Sequence, residues 1–299
     1  MSISAYAQHS VTAGYKYYDA KKDYSNEQLQ YEANLSGHVI FLGYERTDGR
    51  SNYDMRSRDD NGYDPLQRAG VGYYYFGEQH VWGAFLSSSS DRIFNSMDVT
   101  TMIGFYGYNI YSRELGVTKY PMPDGSVYEK KRRTAFYLGV GAASEPIVFG
   151  GYFLPVFSYV YEGEWYTLNL GLPITAIAFY PSHKHLITFK AGFQGNGELS
   201  YEYKITPRNI IRFDYVAMAD DYRLSDETEA SYGGARTQIT YLQEWYRLTY
   251  THKISAFEIS GSFGYMPLGY YFKGKYFHRA PSREIEATTE LGISIRGTF

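Results

Sequence analysis

The sequence predicts an all-β protein, a single antiparallel up-and-down β-barrel of about 14–16 strands that cross a membrane. Three observations support this class: residues 284–299 alternate between apolar and polar side chains, many other stretches repeat that period of two, and the connections between them are mostly alternately short and long. Strict alternation is typical of a strand whose two faces contact different media, and about 9–11 tilted residues cross a bilayer. The strand lengths and the final aromatic residue disfavour a soluble β-sandwich or propeller.

The last stretch carries Leu291, Ile293, Ile295 and the terminal Phe299 on one face. This ending resembles the C-terminal signal of Gram-negative outer-membrane β-barrels. The resemblance implies that the insertion machinery recognises the last strand, which then closes the barrel against the first strand. It also implies an integral protein of the bacterial outer membrane, in contact with its lipid and lipopolysaccharide, and it identifies no subfamily.

Composition agrees with a membrane barrel and excludes some other classes. The 299 residues include 35 Tyr, 18 Phe and 3 Trp, which suit the aromatic girdles at membrane interfaces, and they include no Cys. No run approaches the roughly 18–20 apolar residues of a spanning helix. The mean hydropathy of -0.42 fits a barrel, since only alternate residues face lipid. A net charge of -3 gives no electrostatic attraction to nucleic acid, so no nucleic-acid partner is expected.

The chain is expected to form one domain. Residues 1–7 end in Ala5-Tyr6-Ala7, a small-x-small pattern that is typical of a signal-peptide cleavage site. We therefore expect a possible signal-peptide remnant at 1–7 and a barrel domain at 8–299. The alternative is a first strand that already begins at Ile3.

The strand pattern sets the predicted topology. Both chain ends lie on the side of the short, periplasmic turns, and the longer connections lie outside, so the strand number must be even. Sixteen strands are counted, and merging either of two ambiguous hairpins gives fourteen. The stretch 150–180 is ambiguous because both of its faces are apolar and it contains Pro155 and Pro173. The predicted strands cover residues 11–17, 29–35, 40–44, 66–76, 80–90, 98–110, 112–120, 133–143, 147–161, 164–179, 185–193, 197–205, 209–222, 236–252, 255–266 and 284–299.

Charged side chains occupy the face of these strands that would point into the barrel. Isolated charges are too costly in a dry interior, so they predict either an aqueous channel or a plug of paired charges. The residues predicted to line the lumen are Lys16, Glu32, Lys190, Glu198, Glu202, Lys204, Arg212, Asp214, Glu258, Glu284, Glu286, Glu290 and Arg296.

No catalytic, cofactor-binding or metal-binding set is predicted. No nucleophile elbow, zinc-protease motif or phosphate loop is present. Outer-membrane proteases of the omptin type carry paired acids at the rim, a comparison suggested here by Asp59-Asp60 and Asp220-Asp221. Adjacent residues of a strand point to opposite faces, so solvated loop charge is the favoured interpretation of both pairs.

A basic run, Lys130, Lys131, Arg132 and Arg133, ends a connection that the predicted topology places on the outer side. Two interpretations stay open. The run is either a solvated rim or a set of contacts to lipopolysaccharide phosphates.

The function predicted first is a passive, porin-like channel for small hydrophilic solutes, with a slight cation preference from the Glu excess of the last strands. The alternative is a closed barrel that serves as a membrane anchor or as part of a larger assembly, with partner contacts at 46–65 and 267–283. An enzyme at the barrel rim is the third hypothesis, and no enzymatic activity is expected.

Overall fold

A computed structural model describes residues 8–19, 24–35, 37–48, 66–94, 99–121, 127–144, 152–172, 174–192, 196–223, 238–273 and 283–299. No helix in these ranges is long and apolar enough to cross a membrane. The strand segments of the described ranges are β1 (Gln8–Asp19), β2 (Tyr24–Leu35), β3 (His38–Asp48), β4 (Leu66–Phe76), β5 (His80–Ser90), β6 (Thr100–Pro121), β7 (Val127–Ala143), β8 (Phe153–Glu162), β9 (Tyr166–Leu172), β10 (Ile174–Ser182), β11 (His185–Gly192), β12 (Gly197–Thr206), β13 (Asn209–Arg223), β14 (Gln238–Ile254), β15 (Phe257–Met266), β16 (Gly269–Lys273), β17 (Arg283–Ile285) and β18 (Thr288–Thr298).

These segments form one closed antiparallel barrel. β15 and β16 pair with successive parts of β14, so together they form one wall strand with a break. β18 pairs with β15 and β17 pairs with β16, so β17 and β18 form the next wall strand, which is also broken. β1 pairs with β18 from Ser10 opposite Thr298 to Asp19 opposite Thr289, which closes the sheet. The described segments therefore make a sixteen-stranded wall, which confirms the predicted fold class and strand count.

Two predicted strand divisions are wrong, and the two errors compensate in the count. The turn predicted at 111–113 lies inside β6, because register shifts near Ile110 and Leu115 let this strand continue along β7. The single strand predicted over 164–179 is a hairpin, because β9 and β10 run antiparallel on either side of position 173. The sequence has a proline at that position, and proline is unable to donate a hydrogen bond to a ladder.

The outward face of the wall is apolar and exposed. On the closing pair of strands, Ile293 lies opposite Tyr15 and is 56% exposed, and the same alternation continues around the barrel. A continuous apolar surface of this size is stable only when lipid covers it. Other exposed members are Leu29, Leu42, Val71, Met102, Val140, Phe157, Phe189, Leu199, Phe213, Leu248 and Phe263.

This assignment of faces makes a prediction for two neighbouring residues of β18. Ile293→Arg is expected to lower the free energy of unfolding by about 2–4 kcal/mol, because it places a charge in lipid near the middle of the strand. Ser294→Arg, on the inner face, is expected to change it by less than about 1 kcal/mol. Urea titration of both variants folded in vesicles measures the difference. Equal effects of the two variants would show that the faces are assigned wrongly.

Both chain ends lie at the end of the barrel that carries the short turns. The backbone NH of His9 donates to the carbonyl of Phe299 at 3.0 Å, and the NH of Phe299 donates back at 2.8 Å. The turns at this end include the one at Gly37, which has a φ of 88°, as well as 183–184, 207–208 and 255–256. The long connections 49–65 and 224–237 join strands at the other end. Short turns are periplasmic in outer-membrane barrels, so the predicted orientation is confirmed.

One periplasmic connection, between β6 and β7, is not a short turn. β6 and β7 remain paired as far as Pro121 and Val127, whereas β7 pairs with β8 only as far as Arg133. The overhang of six residues projects roughly 20 Å beyond the wall at about 3.3 Å per residue. We call residues 110–121 and 127–132 the periplasmic hairpin.

The basic run is thereby moved to the periplasmic side. Lys130, Lys131 and Arg132 lie in the periplasmic hairpin, and Arg133 at its base forms a bidentate ion pair with Glu162, at 3.0 and 3.2 Å. The topology that placed the run outside depended on the turn at 111–113 and is wrong. A contact with lipopolysaccharide stays a prediction without that topological support.

Thiol labelling tests the corrected topology, because the chain has no Cys of its own. Arg92→Cys, in the connection from β5 to β6 at the extracellular end, is expected to react with a membrane-impermeant maleimide in intact cells. Val117→Cys, in the periplasmic hairpin, is expected to react only after the outer membrane is permeabilised. Equal labelling of both residues in intact cells would contradict this orientation.

Candidate functional site

The inner face of the wall carries ion pairs along β11, β12 and β13. Arg212 bonds Asp214 at 2.6 Å and also bonds Glu198, whose other oxygen lies 3.8 Å from Lys190. These side chains meet because inward positions on neighbouring antiparallel strands lie opposite each other. Glu202 and Lys204 share the same inner face, next to Arg212 and Ile210 of β13.

A second group of charges lies where the barrel closes. Arg247 of β14 donates two hydrogen bonds to Glu290 of β18, at 2.7 and 2.9 Å, and Lys16 of β1 lies 3.7 Å from the same carboxylate. The side chain of Glu290 is 0% exposed. A buried carboxylate of this kind is tolerated only because two cations surround it.

The other predicted lumen residues are more scattered. Glu32 faces inward opposite Ser10, and Glu258 pairs with Lys253 at 2.6 Å near a periplasmic turn. Arg296 faces inward and donates to Ser10 at 3.4 Å. Each of them lies on the inner face, away from the two charge groups above.

The break in the last strand changes the row of side chains in which Glu284 lies. In β17, Ile285 is buried opposite Gly269, so Glu284 lies in the other row, which it shares with Ala219 of β13. Its position in the lumen lining stays a prediction. Glu286 lies in the break between β17 and β18. The break shifts the alternation by one position, and a shift by one residue exchanges the two faces of a strand.

Above this break, one side of the barrel folds into the lumen. β12 pairs with β13 only as far as Ala217, so the rest of β13 leaves the wall on that side. This end of β13 stays paired with the start of β14. The start of β14 pairs with β16, and β16 pairs with β17. We call residues 218–223, 238–243, 269–273 and 283–285 the inner tongue.

Burial shows that both faces of the inner tongue are covered. Ala219, Thr240 and Phe272 continue the row that faces lipid lower in the wall, yet they are 7%, 0% and 7% exposed. Asn196, beyond the end of β12, accepts a hydrogen bond from the NH of Ala219. Residues that would face lipid in a regular wall are therefore enclosed within the barrel.

An ion pair joins the inner tongue to the opposite wall. Arg68 of β4 donates to Asp220 of β13 at 3.1 Å, although the two strands lie on opposite sides of the sixteen-stranded sheet. The Arg68 guanidinium also donates to Ser89 at 3.1 Å, lies 3.8 Å from Glu45, and sits 5.3 Å from the ring centre of Tyr222. We call the Arg68–Asp220 contact the lumen bridge.

An apolar cluster fills the lumen beside the bridge. It joins Tyr222 and Tyr241 of the inner tongue to Trp245, Tyr18 and Leu66 of the wall. Tyr18 meets Trp245 edge to face at 5.5 Å, and Tyr222 meets Tyr241 in the same way at 6.1 Å. Met266 and Ile285, on either side of the strand breaks, complete it. The extracellular half of the lumen is thus closed on this side by packed side chains.

A cavity of about 340 Å³ remains between the inner tongue and the wall of β2 to β6. Gln28, Gln30 and Glu45 line it from the wall, and Asp221 and Arg223 line it from the inner tongue. The lumen therefore contains a chamber with both polar and apolar lining next to the packed cluster.

The central residues of this site are not apparent from the strand pattern of the sequence. Asp220 and Asp221 lie in β13 and do point to opposite faces, but they are bound by Arg68 and Thr240 respectively, so their interpretation as solvated loop charge is wrong. The strand pattern gives no sign of a role for Arg68. The available signal was the bulk of Leu66, Tyr222, Trp245 and Met266 at inward positions, where the neighbouring strands carry small or polar residues.

Other predicted contacts lie mostly outside the described part of the chain. Residues 1–7, 49–65 and 274–282 fall there, which includes most of both loops predicted to contact a partner and the Asp59-Asp60 pair. Within the described ranges, no three His, Asp or Glu side chains are arranged to hold a metal ion.

The closed wall, its apolar exterior and its charged interior define a transmembrane β-barrel of the outer-membrane type.

Neither a protein-family model nor a curated protein matches the sequence. Solved structures similar to it include a deltaS2 mutant of the monoaromatic hydrocarbon channel TodX, with 8% identity, 98% of this chain and 90% of that chain covered, and a TM-score of 0.37. OprB of Pseudomonas putida has 9% identity, coverage of 98% and 94%, and a TM-score of 0.35. OmpT of Vibrio cholerae has 9% identity, coverage of 98% and 96%, and a TM-score of 0.28. These values are too low to support a conclusion about function.

Proposed function

We propose that this protein is an outer-membrane channel for small hydrophilic solutes, and that the inner tongue closes its lumen at rest. The observation that carries the proposal is the inner face itself, where acids and bases alternate from β11 around to β1 beside the cavity. A barrel that only needed to be filled would be more stable with apolar side chains in these rows, because paired buried charges contribute little net stability.

The paired charges make strong ion selectivity unexpected. Glu290 is neutralised by both Lys16 and Arg247, and Glu258 pairs with Lys253. Part of the Glu excess that predicted a cation preference is therefore compensated by bases. Weak selectivity between small cations and anions follows from the proposal.

Reconstitution into planar bilayers tests the proposed channel function. The folded wild-type protein is expected to give rare, small conductance steps, and variants of the lumen bridge are expected to give frequent, larger ones. Correct folding is checked by the heat-dependent electrophoretic shift of barrel proteins. The proposal fails if neither the wild type nor the bridge variants conduct.

One observation favours the alternative of a closed barrel that serves as an anchor. The lumen bridge and the apolar cluster both join opposite walls, as a permanent plug would. The bridge variants separate the two functions, because a permanent plug held by the cluster would stay closed after the ion pair is lost.

A further inference from the structure

Two phenyl rings lie against glycines in the wall of the lumen cavity. A Cβ atom added at Gly43 would lie 2.9 Å from the ring of Phe41, and one added at Gly72 would lie 3.0 Å from the ring of Phe85. Because these glycines have no side chains, each ring approaches the backbone closely. Both rings line the cavity.

Neutral polar groups surround the two rings. Gln28 and Gln30 line the cavity on one side of Phe41, and Ser87 and Thr101 line it near Phe85. Amide and hydroxyl groups both donate and accept hydrogen bonds, so they complement the hydroxyl groups of a solute. The lining therefore combines apolar phenyl rings with neutral hydrogen-bonding groups.

The charged residues at the cavity are nearly balanced, with the acids Glu45, Asp220 and Asp221 against the bases Arg68 and Arg223. Arg68 is held by Asp220 at 3.1 Å and lies 3.8 Å from Glu45, so its charge is compensated. The inner tongue adds one residue of each sign, Asp221 and Arg223. A charged solute would lose its hydration here without gaining an unpaired charge as a partner. A neutral solute has a much smaller hydration energy to lose.

We infer that this cavity is a binding site for a neutral, polyhydroxylated ring, that is, a sugar of one or two rings. Such a molecule has an apolar face that fits a phenyl ring and hydroxyl groups at its edge. The cavity of about 340 Å³ is at the lower end of the range of small-molecule pockets, which suits a solute of this size. This inference rests on the proposed channel function, since it names the class of solute that the channel would admit.

Calorimetric titration of the detergent-folded protein tests the site without requiring conduction. The probes are glucose, its acidic analogue glucuronate and its basic analogue glucosamine. Glucose is expected to bind at least tenfold more tightly than either charged analogue. Phe85→Leu and Phe41→Leu are each expected to weaken glucose binding by about tenfold, the upper range for the loss of an aromatic contact.

Phe105→Leu is the matched control. Its ring also lies on the inner wall, 3.0 Å from a Cβ added at Gly83, but it does not line the cavity, so glucose binding should be unchanged. The inference is overturned if wild-type protein binds no glucose, if the charged analogues bind as tightly, or if all three Phe variants weaken binding equally. Conductance in the bilayer experiment would be unaffected by that outcome, so failure of the sugar site and failure of the channel are distinguishable.

Discussion

Asp220→Arg is expected to open the lumen and to raise the fraction of time that the channel conducts by about 30-fold. The substitution replaces the contact with Arg68 by repulsion between two cations across the lumen. Losing a partly buried ion pair costs about 2 kcal/mol, and 1.4 kcal/mol corresponds to a tenfold change in a population. Single-channel recording in planar bilayers measures this fraction directly.

The charge-swapped double variant is the control for that prediction. Arg68→Asp combined with Asp220→Arg restores an ion pair with reversed polarity, so it is expected to return most of the closed population. Lys253→Ala removes a periplasmic-end pair with Glu258 that does not touch the inner tongue, and it should leave gating unchanged. If the swapped protein is as open as Asp220→Arg, the bridge is not what holds the tongue.

Glu290→Ala is expected to give the largest loss of stability among the lumen charges, about 3–5 kcal/mol. It removes the carboxylate that binds Arg247 and Lys16 and leaves these two cations close together in a buried site. The urea midpoint of unfolding in vesicles, followed by tryptophan fluorescence, measures the loss.

Glu258→Ala is the matched comparison, because it removes one carboxylate from a half-exposed pair near the rim. Its expected loss of stability is below about 1 kcal/mol. The order of the two effects is the informative result. A Glu290 variant as stable as the Glu258 variant would mean that water reaches the Arg247 site.

Much of the wall could be predicted from local pattern. Alternation in Leu199, Tyr201 and Tyr203 against Glu198 and Glu202 predicts both the strand and its faces, because one face meets lipid and the other does not. The same rule places most of the predicted lumen residues on the inner face. It misses the exchange of rows at Glu284 and Ile285, because the alternation continues on both sides of the break at 286–287 and hides the one-residue shift.

The inner tongue could not be predicted in the same way. Its strands keep the alternation of a wall strand, and what distinguishes them is the contact of Asp220 with Arg68, 152 positions away in the chain. No local period encodes a contact at that separation. The length of β6 was hidden for a related reason, since the register shifts at Ile110 and Leu115 interrupt the alternation without ending the strand.

A crosslink between positions 68 and 220 tests the closed lumen most directly. The chain has no Cys, so the double variant Arg68→Cys, Asp220→Cys provides the only two thiols. A short bifunctional thiol reagent, applied to the protein folded in vesicles, is expected to join them in most molecules and to abolish conductance. A control pair with Gln30→Cys and Lys204→Cys, on walls that the structure does not bring together, is expected to stay unlinked. Efficient linkage of the control pair, or none at 68 and 220, would contradict a lumen closed by the inner tongue.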